Sequence, residues 1–551
     1  MSETRVAIVF PPPIHPTGPP LGPACLKAFL GRNNPTADVK VFDLNLAHYR
    51  QAIRWMQDGR LKMSLRKTDH DSTARGVARV FRFFEGQEGL DAFLDTRAYD
   101  EAASLYRSFE TVLNGLFENF CRKFAAGLPV PPLARAYLLE LIEPVRAFRP
   151  HLAGFSLLFS RQLFFSAALA KIMKEDGSRV VFGGATLSVM PRPESLLSGS
   201  PAAGDSGKTS ERFDFSRFVD YLLIGEGETG LSALVRRFDG GESEVPGLVY
   251  LRRGRIFSNP VSAALDIHEL PLPDFSDFSL ADYHSPVPVL PYLSSRGCFW
   301  GRCAFCTHQK TYLAYREEAV DTTIRRLAEL KTEYGASHFS LVDEMIHAHR
   351  FKNLSARILG QGLDISYSAY AKPTNRFDGA LFRTIHRSGA RVIMWGVESG
   401  SQRLLDSMRK GTRVDVMKQV LEAAHKVGIW NLVFVMFGFP TETREEWQKT
   451  LDLLDGLGES VDALSKSRFL LLEGSDMLKD PARYGITRVM NRPNRDPVSI
   501  AYDYEVSEGL SQEEARQLFE ERASALSRHG RSHFFPLYRE HMLIHASTHR
   551  P

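Results

Sequence analysis

The sequence predicts an α/β protein: a doubly wound N-terminal sheet with a helical insertion, a partial (β/α)6 barrel, and a small, mainly helical C-terminal region. Three observations predict it. Short apolar runs alternate with helical periodicity at both ends of residues 1–265, the signature of a layered α/β sheet. From about 50 to 148 the strand signals give way to helical spacing rich in Arg, Phe and Leu. Over 285–475, six strand-like runs alternate with helical stretches, a shorter span than the roughly 200 to 250 residues of a closed eight-stranded barrel.

In the first part, Val6 to Phe10 reads as a strand, followed by a proline-rich loop, a helix near Leu21 to Leu30, and a second strand from Val39 to Phe42. After the insertion come strands at Leu152 to Leu158, Val180 to Phe182 and Tyr221 to Ile224, with a helix ending near Lys174. Pro191 to Arg212 is rich in Ser, Gly and Pro and reads as a loop, and 266–284 as a linker. The barrel strands are expected at Pro291 to Ser295, His338 to Asp343, Asp364 to Ala371, Arg391 to Val397, Asn431 to Phe439 and Ser467 to Leu472. In 476–551 a loop rich in Asn, Arg and Pro leads into helices from about Ser511.

The composition narrows the function. The 551 residues exceed a single core at roughly 100 to 200 residues per domain, and a net charge of +4 is too small to imply a nucleic-acid or anionic-membrane partner by itself; neither is expected. The longest apolar run, Leu432 to Phe439, falls short of the roughly 20 residues of a membrane helix, and the stretch after Arg5 stops at Pro11-Pro12-Pro13 before a signal-peptide core can form. Five unevenly spaced cysteines cannot staple a secreted scaffold of this size. These features suit a cytoplasmic enzyme.

Three of the five cysteines, Cys298, Cys303 and Cys306, fall within nine residues just after the first barrel strand. Three thiolates suit a 4Fe-4S cluster with one open iron; structural zinc takes four ligands and would need His308 or a distant group. With Phe305 before the last cysteine, this cluster resembles that of the radical S-adenosylmethionine superfamily, although the usual C-x3-C-x2-C is here C-x4-C-x2-C. Downstream, Trp395-Gly396-Val397-Glu398-Ser399-Gly400-Ser401 and Met408-Arg409-Lys410-Gly411 resemble the segment that holds the ribose and methionine of the cofactor. The resemblance makes Gly396, Glu398 and Ser399 contacts, with Glu398 at the ribose. It places Lys410 at the methionine carboxylate; the lysine equally suits a helix C-terminus. Asp343-Glu344 would hold the methionine amino group, and Phe437-Gly438 would lie beside the adenine. All four motifs sit at expected strand C-termini, where parallel arrays build their sites. The resemblance implies reductive cleavage of S-adenosylmethionine by an electron from an external donor such as flavodoxin or ferredoxin.

The front part offers two cofactor readings. Gly225-Glu226-Gly227-Glu228-Thr229-Gly230 spells the dinucleotide fingerprint, but its two glutamates would oppose a pyrophosphate and its strand comes late in the domain. The region also resembles the cobalamin-binding module that precedes many radical S-adenosylmethionine barrels. Ser156-Leu157-Leu158 resembles its S-x-L step, Gly183-Gly184 its double glycine and Gly225 to Glu228 its G-E-G-E loop. Cobalamin contacts are therefore expected at Ser156, Leu158, Gly183, Gly184, Gly225, Glu226 and Gly227. The D-x-H-x-x-G pattern of histidine-ligated modules is half present as Pro13-Ile14-His15-Pro16-Thr17-Gly18, with proline in place of the orienting aspartate, so His15 reads as a loop histidine.

Two further patterns read as structural. Gly204-Asp205-Ser206-Gly207-Lys208-Thr209 lacks the first glycine and leading strand of a phosphate loop, and His541, His545 and His549 read as a solvated helix end. The expected function is cobalamin-dependent radical methyl transfer to an unactivated carbon or phosphorus of a small-molecule or peptide substrate. The alternatives are a rearrangement, oxidation or cyclisation without methyl transfer, or a non-catalytic cobalamin or iron–sulfur sensor.

Overall fold

Every residue from Val6 to Phe10 is buried, and a run with no solvent face must have neighbours on both sides. In the computed structural model this strand, β1 (Thr4–Phe10), lies between β2 (Ala37–Asp43) and β3 (Leu152–Ser156), parallel to both. The structure describes all residues except 1–3, 66–67, 191, 199–213, 239, 309–311, 313, 491–499, 527 and 549–551, and the side chains of 523 and 524. The expected loop around 191–212 and the Gly204 to Thr209 motif within it lie largely outside the described residues. The chain forms two compact units, residues 1–286 and, in the main, residues 287–551.

In the first unit β4 (Arg179–Gly183) and β5 (Tyr221–Leu223) extend the parallel sheet to the order 2-1-3-4-5. Connections leave β1 and β3 in opposite directions, so the crevice beyond their C-terminal ends is the topological switch point where such sheets bind ligands. An antiparallel hairpin that was not expected, β6 (Leu248–Arg252) and β7 (Arg255–Ser258), completes a seven-stranded sheet. Its turn residues Arg253 and Gly254 both have positive φ, the requirement of a tight primed turn. The insertion is helical as expected, with its first helix, Leu44–Gln57, capped by Asp43 directly at the end of β2. Helices His70–Phe84, Thr96–Ala125 and Pro132–Phe148 pack Trp55, Phe84, Tyr106, Phe117 and Tyr137 into one aromatic core. Cys121 is buried in it, as its apolar neighbours predict.

In the second unit β8 (Val289–Tyr292) leads to a short antiparallel ladder of β9 (Ser295–Arg296) and β10 (Arg316–Glu317). Strands β11 (His338–Leu341), β12 (Ser366–Ala371), β13 (Ala390–Glu398), β14 (Trp430–Phe437) and β15 (Ala463–Arg468) then join β8 in an open parallel sheet, ordered 15-14-13-12-11-8. The six-stranded partial barrel is thus present. Its last strand, expected at Ser467 to Leu472, begins four residues earlier, at Ala463. That register is pinned by buried Asp462, which accepts from Asn431 N at 2.8 Å and Arg531 Nε at 2.7 Å.

Beyond the barrel, β16 (Leu471–Leu472), β17 (Ile486–Met490) and β18 (Ala501–Val506) form a small antiparallel sheet beside the expected helices, Gln512–Leu526 and Arg539–Thr548. The last helix packs on β11, β12 and β13 and buries His541 and His545, correcting the reading of a solvated end; His549 lies outside the described residues. No helix among the described residues is long and apolar enough to cross a membrane.

Candidate active site

The loop after β9 carries Cys298, Cys303 and Cys306, all partly buried and unpaired. It is held at its centre by Ala304, whose N–H donates to Met408 O at 2.9 Å and whose carbonyl accepts from Met477 N at 3.2 Å. The additional residue in the first gap has a visible setting. Trp300 Nε1 donates to Arg409 O at 3.0 Å, and the indole lies so close to Gly411 that an added Cβ there would stand 2.3 Å from the ring. Gly411 also has φ +65, so no side chain is tolerated on either count. Lys372, at the end of β12, places Nζ 3.2 Å from the centre of the same indole and donates to Lys410 O.

Burial raises the Cys303 thiol pKa and pushes that of Cys306 up to about 12, while the ammonium groups of Lys410 and Lys372 pull Cys303 back. Among the described residues no three His, Cys, Asp or Glu side chains are grouped to hold a single metal ion. A cubane instead takes one thiolate per iron, so its ligands need not converge on one point. Three soft donors on one loop beside two cations fit that donor set, and His308 is tied to Glu344 at 2.7 Å.

Lys410 forms a 2.7 Å ion pair with Glu398 at the end of β13, the side chains 11% and 14% exposed. Burial works against the lysine's charge, but Glu398 and Cys303 outweigh it and the pKa rises. Gly396 leaves the space for this pair: an added Cβ would stand 2.5 Å from Lys410 Nζ. The strand bulges between Gly396 and Glu398, and Glu398 itself has φ +68, which turns the chain sharply at the sheet's end.

The other expected contacts divide. Asp343 is wholly buried and accepts from Ser294 N at 3.2 Å, Ser294 Oγ at 2.9 Å and Ser295 Oγ, so its carboxylate holds the Cys-loop strand in place. Its neighbour Glu344 remains partly exposed and paired with His308. Ser399 is turned inward, its Oγ accepting from Ser401 N at 3.1 Å. Phe437 packs its ring on Trp447 at 4.3 Å, and Gly438 donates its N–H to buried Glu442 while its carbonyl accepts from Tyr504. Phe305 is partly buried.

Sequence reasoning missed the residues that join these loops. Arg403 donates to Glu446 Oε1 at 2.8 Å and Thr441 O at 2.7 Å, tying the segment after β13 to that after β14. Arg350 donates to Ser294 O at 3.2 Å and Glu318 O at 2.9 Å. From the last helix, Arg539 donates to Tyr370 Oη and stacks over Phe434. Each lies far from its partner in sequence, and no local pattern marks it.

In the first unit, the expected cobalamin contacts gather at the C-terminal ends of β3, β4 and β5. Gly184 has φ +107, and an added Cβ would stand 2.4 Å from Leu157 O, so the double-glycine and S-x-L loops touch backbone to backbone. Gly183 closes β4 beside Ser156 on β3. Gly225 N–H donates to Ser188 Oγ at 3.0 Å; Glu226 and Gly227 then open helix Gly227–Arg236. Leu158 and Phe159 are each 48% exposed, an apolar rim at the sheet's end. Gln162, missed in the sequence, accepts from Leu158 N at 2.7 Å and Phe159 N at 3.0 Å and donates to Pro11 O, joining the β3 and β1 loops. The dinucleotide-like glycines follow β5, away from the switch point, and Gly230 abuts Leu223 as ordinary helix–sheet packing.

Residues 292–454, which carry most of the six-stranded parallel partial barrel, the three-cysteine loop and the Glu398–Lys410 ion pair at its strand ends, match the Radical SAM superfamily. The chain is 26% identical over 360 residues to an uncharacterized methyltransferase of Pyrococcus horikoshii, covering 60% of this chain and 74% of the relative. It is 22% identical over 420 residues to the cytidylyl-2-hydroxyethylphosphonate methyltransferase of Streptomyces wedmorensis, covering 67% and 72%. Among solved structures it resembles the cobalamin-dependent S-adenosylmethionine radical enzyme OxsB with aqua-cobalamin and S-adenosylmethionine bound, with TM-score 0.61 and 15% identity over 94% of this chain and 67% of that one. The first unit thus has a cobalamin-binding-like fold.

Proposed function

We propose that the protein is a cobalamin-dependent radical S-adenosylmethionine enzyme that converts a small-molecule or peptide substrate and draws its electron from an external donor such as flavodoxin or ferredoxin. The observation that carries this reading is the pairing of two sites in one chain: thiols beside Lys410–Glu398 at the barrel's strand ends, and a glycine-lined apolar rim at the switch point of a 2-1-3-4-5 sheet. When bound, the cluster and S-adenosylmethionine supply a 5′-deoxyadenosyl radical and cobalamin a second reactive centre.

The chain's own residues bind and orient. Cys298, Cys303 and Cys306 would hold the cluster. Glu398 and Lys410 would meet the ribose and the methionine carboxylate, and Glu344 the amino group. The backbone at Phe437 and Gly438 would face the adenine. Ser156, Leu158, Gly183, Gly184, Gly225, Glu226 and Gly227 would line the cobalamin site. Asp343 and Ser399, committed to internal hydrogen bonds, act by fixing the loops beside them.

Radical rearrangement, oxidation or cyclisation without methyl transfer is the first reading, supported by the likeness over most of the chain to OxsB, which is named a radical enzyme and not a methyltransferase. Methyl transfer to carbon or phosphorus is the second reading, favoured by the names of the two curated relatives. Anaerobic reconstitution with iron, sulfide, cobalamin, S-adenosylmethionine and a strong reductant tests both. Cobalamin-bound protein that releases 5′-deoxyadenosine without S-adenosylhomocysteine supports the first reading, and release of both supports the second. Absence of both cobalamin retention and 5′-deoxyadenosine release would overturn the proposal.

A further inference from the structure

Two ammonium groups act on Cys303, those of Lys410 and Lys372, and they are balanced differently. Lys410 is paired with Glu398 at 2.7 Å. Lys372, at the end of β12, is 5% exposed, and no carboxylate pairs with it among the described residues. Its ammonium group donates to Lys410 O at 3.2 Å and rests 3.2 Å from the centre of the Trp300 indole. Trp300 belongs to the lengthened gap between Cys298 and Cys303, and its Nε1–H donates to Arg409 O at 3.0 Å, so the ring that seats the ammonium group is itself fixed. Arg302, 5.4 Å from the same ring, is exposed, and solvent screens its charge.

An ammonium group is costly to bury without an opposite charge, and an indole face with one carbonyl oxygen offsets only part of that cost. Burial holds the Lys372 pKa down to about 8, with Cys303 foremost in opposing the fall, so the group is charged at neutral pH. A cubane held by three thiolates carries net negative charge and gains one more on reduction. A buried cation beside it favours the reduced form, because the attraction is little screened there. Lys410 adds less to that balance, since Glu398 cancels its charge.

We propose that Lys372, seated on Trp300 of the lengthened gap, is the counter-charge of the iron–sulfur cluster and holds its reduction potential up. The inference rests on the cluster reading above.

The test is a redox titration, followed by electron paramagnetic resonance, of the full-length protein reconstituted with iron and sulfide at neutral pH. S-adenosylmethionine is left out, so that its binding cannot alter the potential. Lys372→Met and Lys372→Gln should lower the midpoint potential, and Lys372→Arg, which keeps the charge, should stay near the parent. Neutral variants that hold the parent's iron and its potential would overturn the assignment, as would an arginine variant whose potential falls with theirs. Loss of iron from both neutral variants but not from the arginine variant would show the charge itself to be required and support the assignment. Loss from all three would make the position a matter of packing and overturn it. An unaltered protein that takes up no reducible cluster would overturn the underlying reading and, with it, the role of Lys372.

Discussion

The two candidate sites are built in opposite ways. In the barrel, the candidate site is made of charged and nucleophilic side chains: thiols on one loop, Lys410 against Glu398, and Glu344 against His308. In the front sheet, what defines the site is largely the absence of side chains, with Gly184 pressed on Leu157 and an exposed apolar rim at Leu158 and Phe159. A site made of functional groups is lost by deleting them, whereas a site made of space is lost by filling it.

The largest expected effect separates the two outright. Replacing Cys298, Cys303 and Cys306 together with alanine should reduce bound iron from about four per chain to background and abolish 5′-deoxyadenosine release. Cobalamin binding should persist, because none of the three residues lies in the first unit. Loss of cobalamin in the same variant would show the sites to be coupled and break the contrast. Filling the front site is the converse. Gly184→Ala places a Cβ 2.4 Å from a backbone oxygen at φ +107, a strain on the order of 1 to 3 kcal/mol before the clash is counted. It should weaken cobalamin binding by more than about tenfold and leave iron content unchanged, as equilibrium dialysis and iron analysis would report.

The same contrast decides what could be read beforehand. The cysteine loop, the Gly396 to Ser401 segment and Lys410 were legible because their chemistry is written in contiguous residues. The strand positions were equally legible, because buried parallel strands leave near-continuous apolar runs such as Val6 to Phe10. What escaped was relational. Nothing near Glu110 marks it as a partner of His15, nor Arg403 as the tie between two loops, since each meets its partner only after folding. The fate of Asp343 escaped for the same reason: its motif position suggested a ligand contact, but the serines after β8 take its lone pairs. The β6–β7 hairpin is different, for its Arg253-Gly254 turn between two apolar runs was a local signal that went unused.

A third variant sharpens the barrel half. Lys410→Met leaves the Glu398 carboxylate without its cation in a site where both side chains are nearly covered. Removing one partner of a fully buried pair costs roughly 3 to 5 kcal/mol, and partial exposure reduces that figure. The KM for S-adenosylmethionine should rise by about tenfold, with iron content unchanged. An unaltered KM would remove both residues from the cofactor site and return Lys410 to a helix-end role.

The smallest effect is a difference in how the two units respond to pH. Burial pushes the Glu442 carboxyl in the second unit up to about 8, against the backbone N–H of Gly438, which favours the charged form. Its Oε1 has no hydrogen-bond partner among the described residues. In the first unit, burial raises Asp43 only to about 6, with Tyr283 opposing the rise. A carboxyl whose folded pKa lies above its unfolded value holds a proton that the unfolded chain has lost, so stability falls as pH rises between the two values and is level outside them. The Asp43 window closes near pH 6, whereas that of Glu442 runs from about 4.5 to about 8. Buried His48, held down to about 3, and His338 and His545, held down to about 4, act in the opposite sense, and their windows close near the ordinary histidine value of 6.5. Between pH 6.5 and 8 Glu442 should therefore lower the second unit's stability by up to about 1.4 kcal/mol per unit. Glu442→Gln keeps an acceptor for Gly438 N–H and cannot titrate. Calorimetry across this window should show the second unit's transition falling more steeply in the parent than in the variant, the remaining slope coming from His308, whose pKa its bond to Glu344 raises. Parallel curves would mean that the carboxyl is already charged, and that the buried end of β14 is better solvated than its geometry indicates.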